Sequence, residues 1–181
     1  MRPALVSEAD FLSLPETVDK VELIDGEVVV SPSPSVRHQL LLGEVYVALR
    51  AWASTAPTRA SVFQCPLDVR FGEDRVLQPD ALVILDTVAP DAAMPLERIP
   101  ELCVEVLSGD RVYDRVTKRL IYAAAGVREL WIVEPSRVVE RWTGEGLAAA
   151  DEVTGLLSTP LLPGFELDVA AMFARVLGGE A

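Results

Sequence analysis

The chain is short of several residues that would otherwise commit it to a class. Its 181 residues include two cysteines, Cys65 and Cys103, both in apolar runs and in no CxxC pattern. A disulfide framework and a thiolate zinc site are therefore excluded, and buried free thiols of a cytoplasmic protein are expected. No stretch approaches the ~18 apolar residues of a membrane span. The opening MRPALVSEADFLSLPETVDK has acids and a proline where a secretory leader needs an apolar run, so neither membrane nor export is expected. There is one histidine, His38, which cannot be tied to a particular serine, and neither GxSxG nor HExxH occurs. Gly144-Glu145-Gly146 follows an edge-like strand and opens no clear helix, so it is not a dinucleotide loop. Aromatics make up 6% and are scattered, which leaves no stacking platform for single strands. Bases are scarce too: 16 against 28 acids, a formal charge of −12 spread over both halves. That argues against loose attraction to nucleic acid and is compatible with a local basic groove or a metal-bridged phosphate site. Lysine is rarest among the bases, with Lys20 and Lys118 alone against 14 arginines.

Half the residues are apolar and a quarter charged, enough for one globular domain over 1–181, with its core about 20–143. A short helix is expected over 8–14. Asp25-Gly26 between Val21–Ile24 and Glu27–Val30 predicts an N-terminal β-hairpin. Apolar steps of three and four predict a helix over 38–52. Alternation predicts a strand over 61–71. Further strands are expected over 77–85, 102–107, 130–133 and 138–142. Helices are expected over 113–125, capped by Gly126, and over 169–176. Trp131 and Trp142 are expected to pack the terminal hairpin. This order describes a mixed sheet flanked by helices.

Two carboxylates stand inside apolar strands. Asp80 shares a face with Leu82 and Ile84; Glu105 shares one with Cys103 and Leu107. A carboxylate covered on both sides of a sheet is costly unless cations or several donors meet it. Two of them converging from neighbouring strands would suit Mg2+; solvation at a strand end or an arginine partner is the plainer alternative. Asp114 and Lys118 stand four apart on the next helix, and Arg111, Arg115 and Arg119 complete the densest basic stripe. Val112, Val116 and Leu120 are expected to face the sheet. A surface ion pair would tolerate arginine; an ammonium is a compact charge that arginine replaces poorly.

The segments VELIDGE (21–27), QPDALVIL (78–85), ELCVEVLS (101–108) and DRVTKRLIYAAAGVRELWIVEP (114–135), with His38 and the tail LSTPLLPGFELDV (157–169), resemble the Uma2 family of endonucleases in the PD-(D/E)XK nuclease superfamily. The resemblance implies an α/β (α+β) restriction-endonuclease-like core: a central mixed β-sheet flanked by helices, with an N-terminal hairpin. It implies Mg2+-dependent hydrolysis of phosphodiester bonds in DNA, with Mn2+ as a possible substitute. Asp80 and Glu105 would ligate the ion, with the Val106 carbonyl, and Lys118 would orient the attacking water or stabilise developing charge. Asp114 would hold Lys118 or reach a second metal through water. Glu22 and His38 would neighbour the site, with Glu44 ranked below Glu22. Arg111, Arg115 and Arg119 are candidates for nucleic-acid contact. Leu107 stands where the E-x-K lysine is usual, so Lys118 is the replacement, and Ser108-Gly109-Asp110 lacks the family's usual turn. A homodimer is expected, because two strands are cut most simply by two sites. The rival reading is a non-catalytic or regulatory module, a dimeric binding protein, which the acidity favours. Hydrolysis of a smaller phosphate ester or a structured RNA is a third.

Overall fold

The computed structural model describes residues 5–15, 17, 19–107 and 114–178, and of Asp114 the backbone only. After a short helix α1 (Glu8–Leu12), strands β1 (Lys20–Ile24) and β2 (Glu27–Ser31) form the expected hairpin. Asp25 and Gly26 both take positive φ, 51° and 82°, as the tight turn demands. Helix α2 (Val36–Thr55) begins on Ser35, whose hydroxyl accepts from the His38 N–H.

Two prolines then set the layout. The alternating stretch 61–71 is two strands in different sheets, β3 (Ser61–Gln64) and β4 (Val69–Gly72). The run 77–85 is likewise divided, between β5 (Arg75–Leu77) and β6 (Ala81–Ile84). Pro66 and Pro79 lack the N–H a continuous ladder needs, so the chain changes sheets at each. One sheet has the order β2-β1-β5-β4. The other adds β7 (Leu102–Val106), β8 (Glu129–Glu134), β9 (Val138–Thr143) and β10 (Ala149–Val153), in the order β10-β9-β8-β7-β6-β3. It is mixed, as expected: β7 and β8 are parallel and its other pairs antiparallel. Parallel neighbours need a crossover. Here it runs through a π-helical turn (Asp114–Lys118) and α3 (Arg119–Ala125).

Each face of the larger sheet is covered. On one, Leu41, Val45 and Leu49 of α2 meet Val83, Val104 and Trp131, with Met172 and Phe173 of α4 (Val169–Leu177) completing the layer. On the other, Ile121 and Tyr122 meet Leu82, Cys103, Leu130 and Ile132. Strands β11 (Leu156–Leu157) and β12 (Leu167–Asp168) pair separately.

The structure corrects or refines three expectations. Val116 and Leu120 point outward, 43% and 55% exposed, because Lys118, Ile121 and Tyr122 occupy the inward face; Val112 lies outside the described residues. Trp131 and Trp142 lie on opposite faces of the β8–β9 hairpin, Trp131 against Phe165 and Trp142 beneath the Arg119 guanidinium. Both cysteines are free, but Cys65 is only half-buried. No helix among the described residues is long and apolar enough to cross a membrane.

Gly126 ends α3 at φ 93° and turns the chain into β8, and a Cβ there would meet nothing within 4 Å. Gly126→Ala should therefore cost about 1 kcal/mol from backbone conformation alone. Gly126→Asn should cost less, because Asn tolerates the left-handed region. Denaturant unfolding of the two variants checks the order.

Candidate active site

The site lies at the seam where the chain passes between the sheets. Asp80 is the last residue before β6. The β6–β7 ladder pairs Ala81 with Val104, and one step further along it sets Asp80 opposite Glu105. Two acids facing each other across antiparallel strands repel, so something else must hold them there. Asp80 Oδ2 accepts from the Val106 N–H at 2.8 Å and lies 3.0 Å from His38 Nε2. Asp80 Oδ1 accepts from Lys20 Nζ at 2.8 Å. Burial alone would raise the Asp80 pKa. The His38 hydrogen bond and the charges of Lys20 and Lys118 overturn that and hold its carboxyl well below the usual carboxylate range.

Glu105 has a different environment. Lys118 Nζ lies 3.3 Å from each of its oxygens, and the Tyr122 hydroxyl donates to Oε1 at 2.5 Å. Burial pushes its pKa up to about 7; Lys118 and Lys20 offset part of the effect, and Asp80 and Glu22 add to it. The same ammonium donates to Glu22 Oε1 at 3.0 Å, which also accepts the Gln78 N–H. Lys118 is 2% exposed, Glu22 1% and Glu105 3%. A buried charge survives only with partners and donors of this kind.

Of the expected residues, the fold gathers Asp80, Glu105, Lys118, Glu22 and His38. Glu44 is elsewhere, paired with Arg175. Arg111 and the Asp114 side chain lie outside the described residues. Arg115 pairs with Glu134 and Glu140, and Arg119 donates to the Leu147 carbonyl while covering Trp142. Two members were not expected. Tyr122 stands one helical turn after Lys118. Lys20 stands two residues before Glu22, on the same side of β1. The signal for Lys20 was in plain view: both lysines of an arginine-rich chain meet here.

Lys20, His38, Asp80, Glu105, Val106 and Lys118 line a cavity of about 540 Å3. Among the described residues no group of three histidines, cysteines or acids could hold a metal ion. Mg2+ does not require one, since it binds through one or two carboxylates with water and substrate phosphate. Asp80 and Glu105 are hard oxygen donors on one cavity, and Asp80 Oδ1 already holds a cation. Three carboxylates, Asp80, Glu105 and Glu22, stand against two ammonium groups, Lys20 and Lys118. The residues fit a divalent ion of this kind.

The raised Glu105 pKa has a measurable consequence. A carboxyl that holds its proton more tightly folded than unfolded favours the fold at low pH. That contribution is lost as pH rises from the unfolded value near 4.5 through about 7. Glu105→Gln does not titrate. In chelator its stability relative to the wild type should improve from pH 5 to pH 8, by on the order of 3 kcal/mol. A difference that stays flat across this range would contradict the raised value.

No curated protein matches the sequence. A crystal structure described as that of "a putative nuclease belonging to DUF820" from Anabaena variabilis ATCC 29413 has a similar fold. Its TM-score is 0.78 at 22% identity, over 94% of this chain and 99% of that one. The family model described as "Putative restriction endonuclease", Uma2, matches residues 8–170. That match runs from the first residue of α1 into α4 and takes in every strand and the whole cavity, so the chain belongs to the Uma2 family.

Proposed function

We propose that the protein is a Mg2+-dependent endonuclease that hydrolyses phosphodiester bonds in DNA. The observation that carries this reading is the pairing of Asp80 and Glu105 across adjacent strands, with Lys118 behind them and a cavity in front. Asp80 and Glu105 would hold the ion, with Mn2+ as a possible substitute. Bound there, a divalent ion supplies Lewis-acid polarisation of the scissile phosphate and activation of water.

The chain's own residues do the rest. His38 and the Val106 N–H hold Oδ2 and fix the orientation of the Asp80 carboxylate, which lines the cavity. Tyr122 and Lys118 do the same for Glu105. Glu22 holds the Lys118 ammonium from behind, so its charge is in place before the reaction and costs no reorganisation during it. In this role Lys118 stabilises negative charge developing on the phosphate. Asp114 would assist Lys118. Arg115 and Arg119 stand on the segment that carries Lys118 and would contact flanking phosphates by exchanging their present partners; Arg111, a further candidate from the sequence, lies outside the described residues. The reading includes a homodimer acting in the cytoplasm, where Cys65 and Cys103 stay reduced. Val36, Leu40 and Val47, apolar and exposed on α2, support self-association.

The rival reading, a non-catalytic nuclease-fold module, draws on the charge of −12 and on the arginines already committed to internal partners. The deciding experiment is incubation of supercoiled plasmid with the protein and Mg2+, beside Asp80→Asn and Glu105→Gln. Nicking and linearisation are expected for the wild type. Both variants should fall by about two orders of magnitude or more. Binding without cleavage by the wild type would favour the rival, and cleavage of RNA alone would move the substrate.

A further inference from the structure

We infer that Lys20 is the resident cation of the site: its ammonium holds Asp80 Oδ1 until a divalent ion takes that oxygen, and then faces the substrate phosphate. The inference rests on the metal-site reading above and assigns a role to a residue outside it.

Among the described residues the Asp80 carboxylate has three partners, and Lys20 is the one placed to leave. The Val106 N–H is main chain within the central sheet, and giving it up would strand a buried donor. His38 is buried, and its place is set by the capped first turn of α2. Lys20 is different. Its side chain is 20% exposed and lines the cavity, and four rotatable bonds let the ammonium travel. Its backbone stays with the hairpin, because Lys20 pairs with Ser31 of β2, while β5 holds the same strand further along at Leu23 and Ile24. A displaced ammonium therefore stays in the cavity mouth, where the phosphate must enter.

Charge makes the exchange reasonable. An ammonium and a divalent ion compete for the same lone pairs of Oδ1. With Lys20 in place, the ion pair compensates a carboxylate that is almost wholly buried. With the ion in place, Lys20 loses that partner and presents a positive charge on the cavity wall to an arriving phosphate. Strand β1 thus carries two kinds of ionic contact. Glu22 makes a deeply buried pair with Lys118, and Lys20, two residues earlier on the same side, makes an exchangeable one.

The chain's two lysines make the test direct. In the full-length protein labelled with 15N-lysine, two ammonium signals are expected. Titration with Mg2+ should shift the Lys20 signal and remove its protection from solvent exchange, while Lys118 keeps its own. Lys20→Met should bind Mg2+ and Mn2+ about tenfold more tightly, because a competitor is gone. Saturable Mg2+ binding with an unmoved Lys20 signal would overturn the exchange and leave the metal site standing. So would Lys20→Met binding no more tightly than the wild type. If neither protein binds either ion, the exchange and the metal reading fall together.

Discussion

The site depends on one buried ammonium. Lys118 joins Glu22 from the smaller sheet to Glu105 from the larger one, and it is carried by the crossover that makes β7 and β8 parallel. Carboxylates from both sheets thus meet on one ammonium. Without it, two buried carboxylates would keep only neutral donors, the Gln78 N–H and the Tyr122 hydroxyl, and lose the ammonium between them, a loss that costs several kcal/mol. The inward face of α3 follows from the same contact. Lys118 must reach Glu105, so Tyr122, one turn on, must also face the sheet, and its hydroxyl closes the remaining side of Glu105. The aliphatic residues Val116 and Leu120 are left outside, against their hydrophobicity.

The two acids on the cavity are held in opposite conditions. Asp80 is surrounded by donors and cations and kept ionised; Glu105 is enclosed by the sheet, and burial pushes its pKa up to about 7. Setting like charges face to face across a ladder does nothing for folding. Their partners are arranged to tolerate that repulsion, as in sites kept for function at a cost to stability.

Much of this was legible in the sequence. Asp80 and Glu105 stood out because a period-2 pattern put a charge where the sheet is covered. The hairpin was legible because only a few residue pairs accept two positive φ values in succession. What was hidden had physical reasons. The alternation over 61–71 is real on both sides of Pro66, but periodicity registers which face a residue takes, not which sheet it belongs to. The basic stripe read as one surface because helical spacing gives neighbours on a helix. It gives no sign that Glu134 and Glu140 wait on β8 and β9 for Arg115. Lys20 was marked only by the scarcity of lysine, and spacing could not connect it to the site because its partner Asp80 is 60 residues away.

The division between the two kinds of basic residue has a physical sense on the proposed reading. The arginines with described partners are largely spent on structure. Arg70, Arg75, Arg141 and Arg175 make ion pairs to acids in other segments, and Arg119 stacks on an indole. A planar fork that bonds in two directions suits such fixed work. The two lysines are at the site instead. One is buried between carboxylates, where a small ammonium with three donors meets oxygens of Glu22 and Glu105. The other sits on the cavity wall, where a strongly hydrated point charge can leave a carboxylate for water or phosphate more readily than a paired guanidinium could. An acidic protein that handles a polyanion in this way does not need a broad positive face, only a few positive charges concentrated where the phosphate must lie.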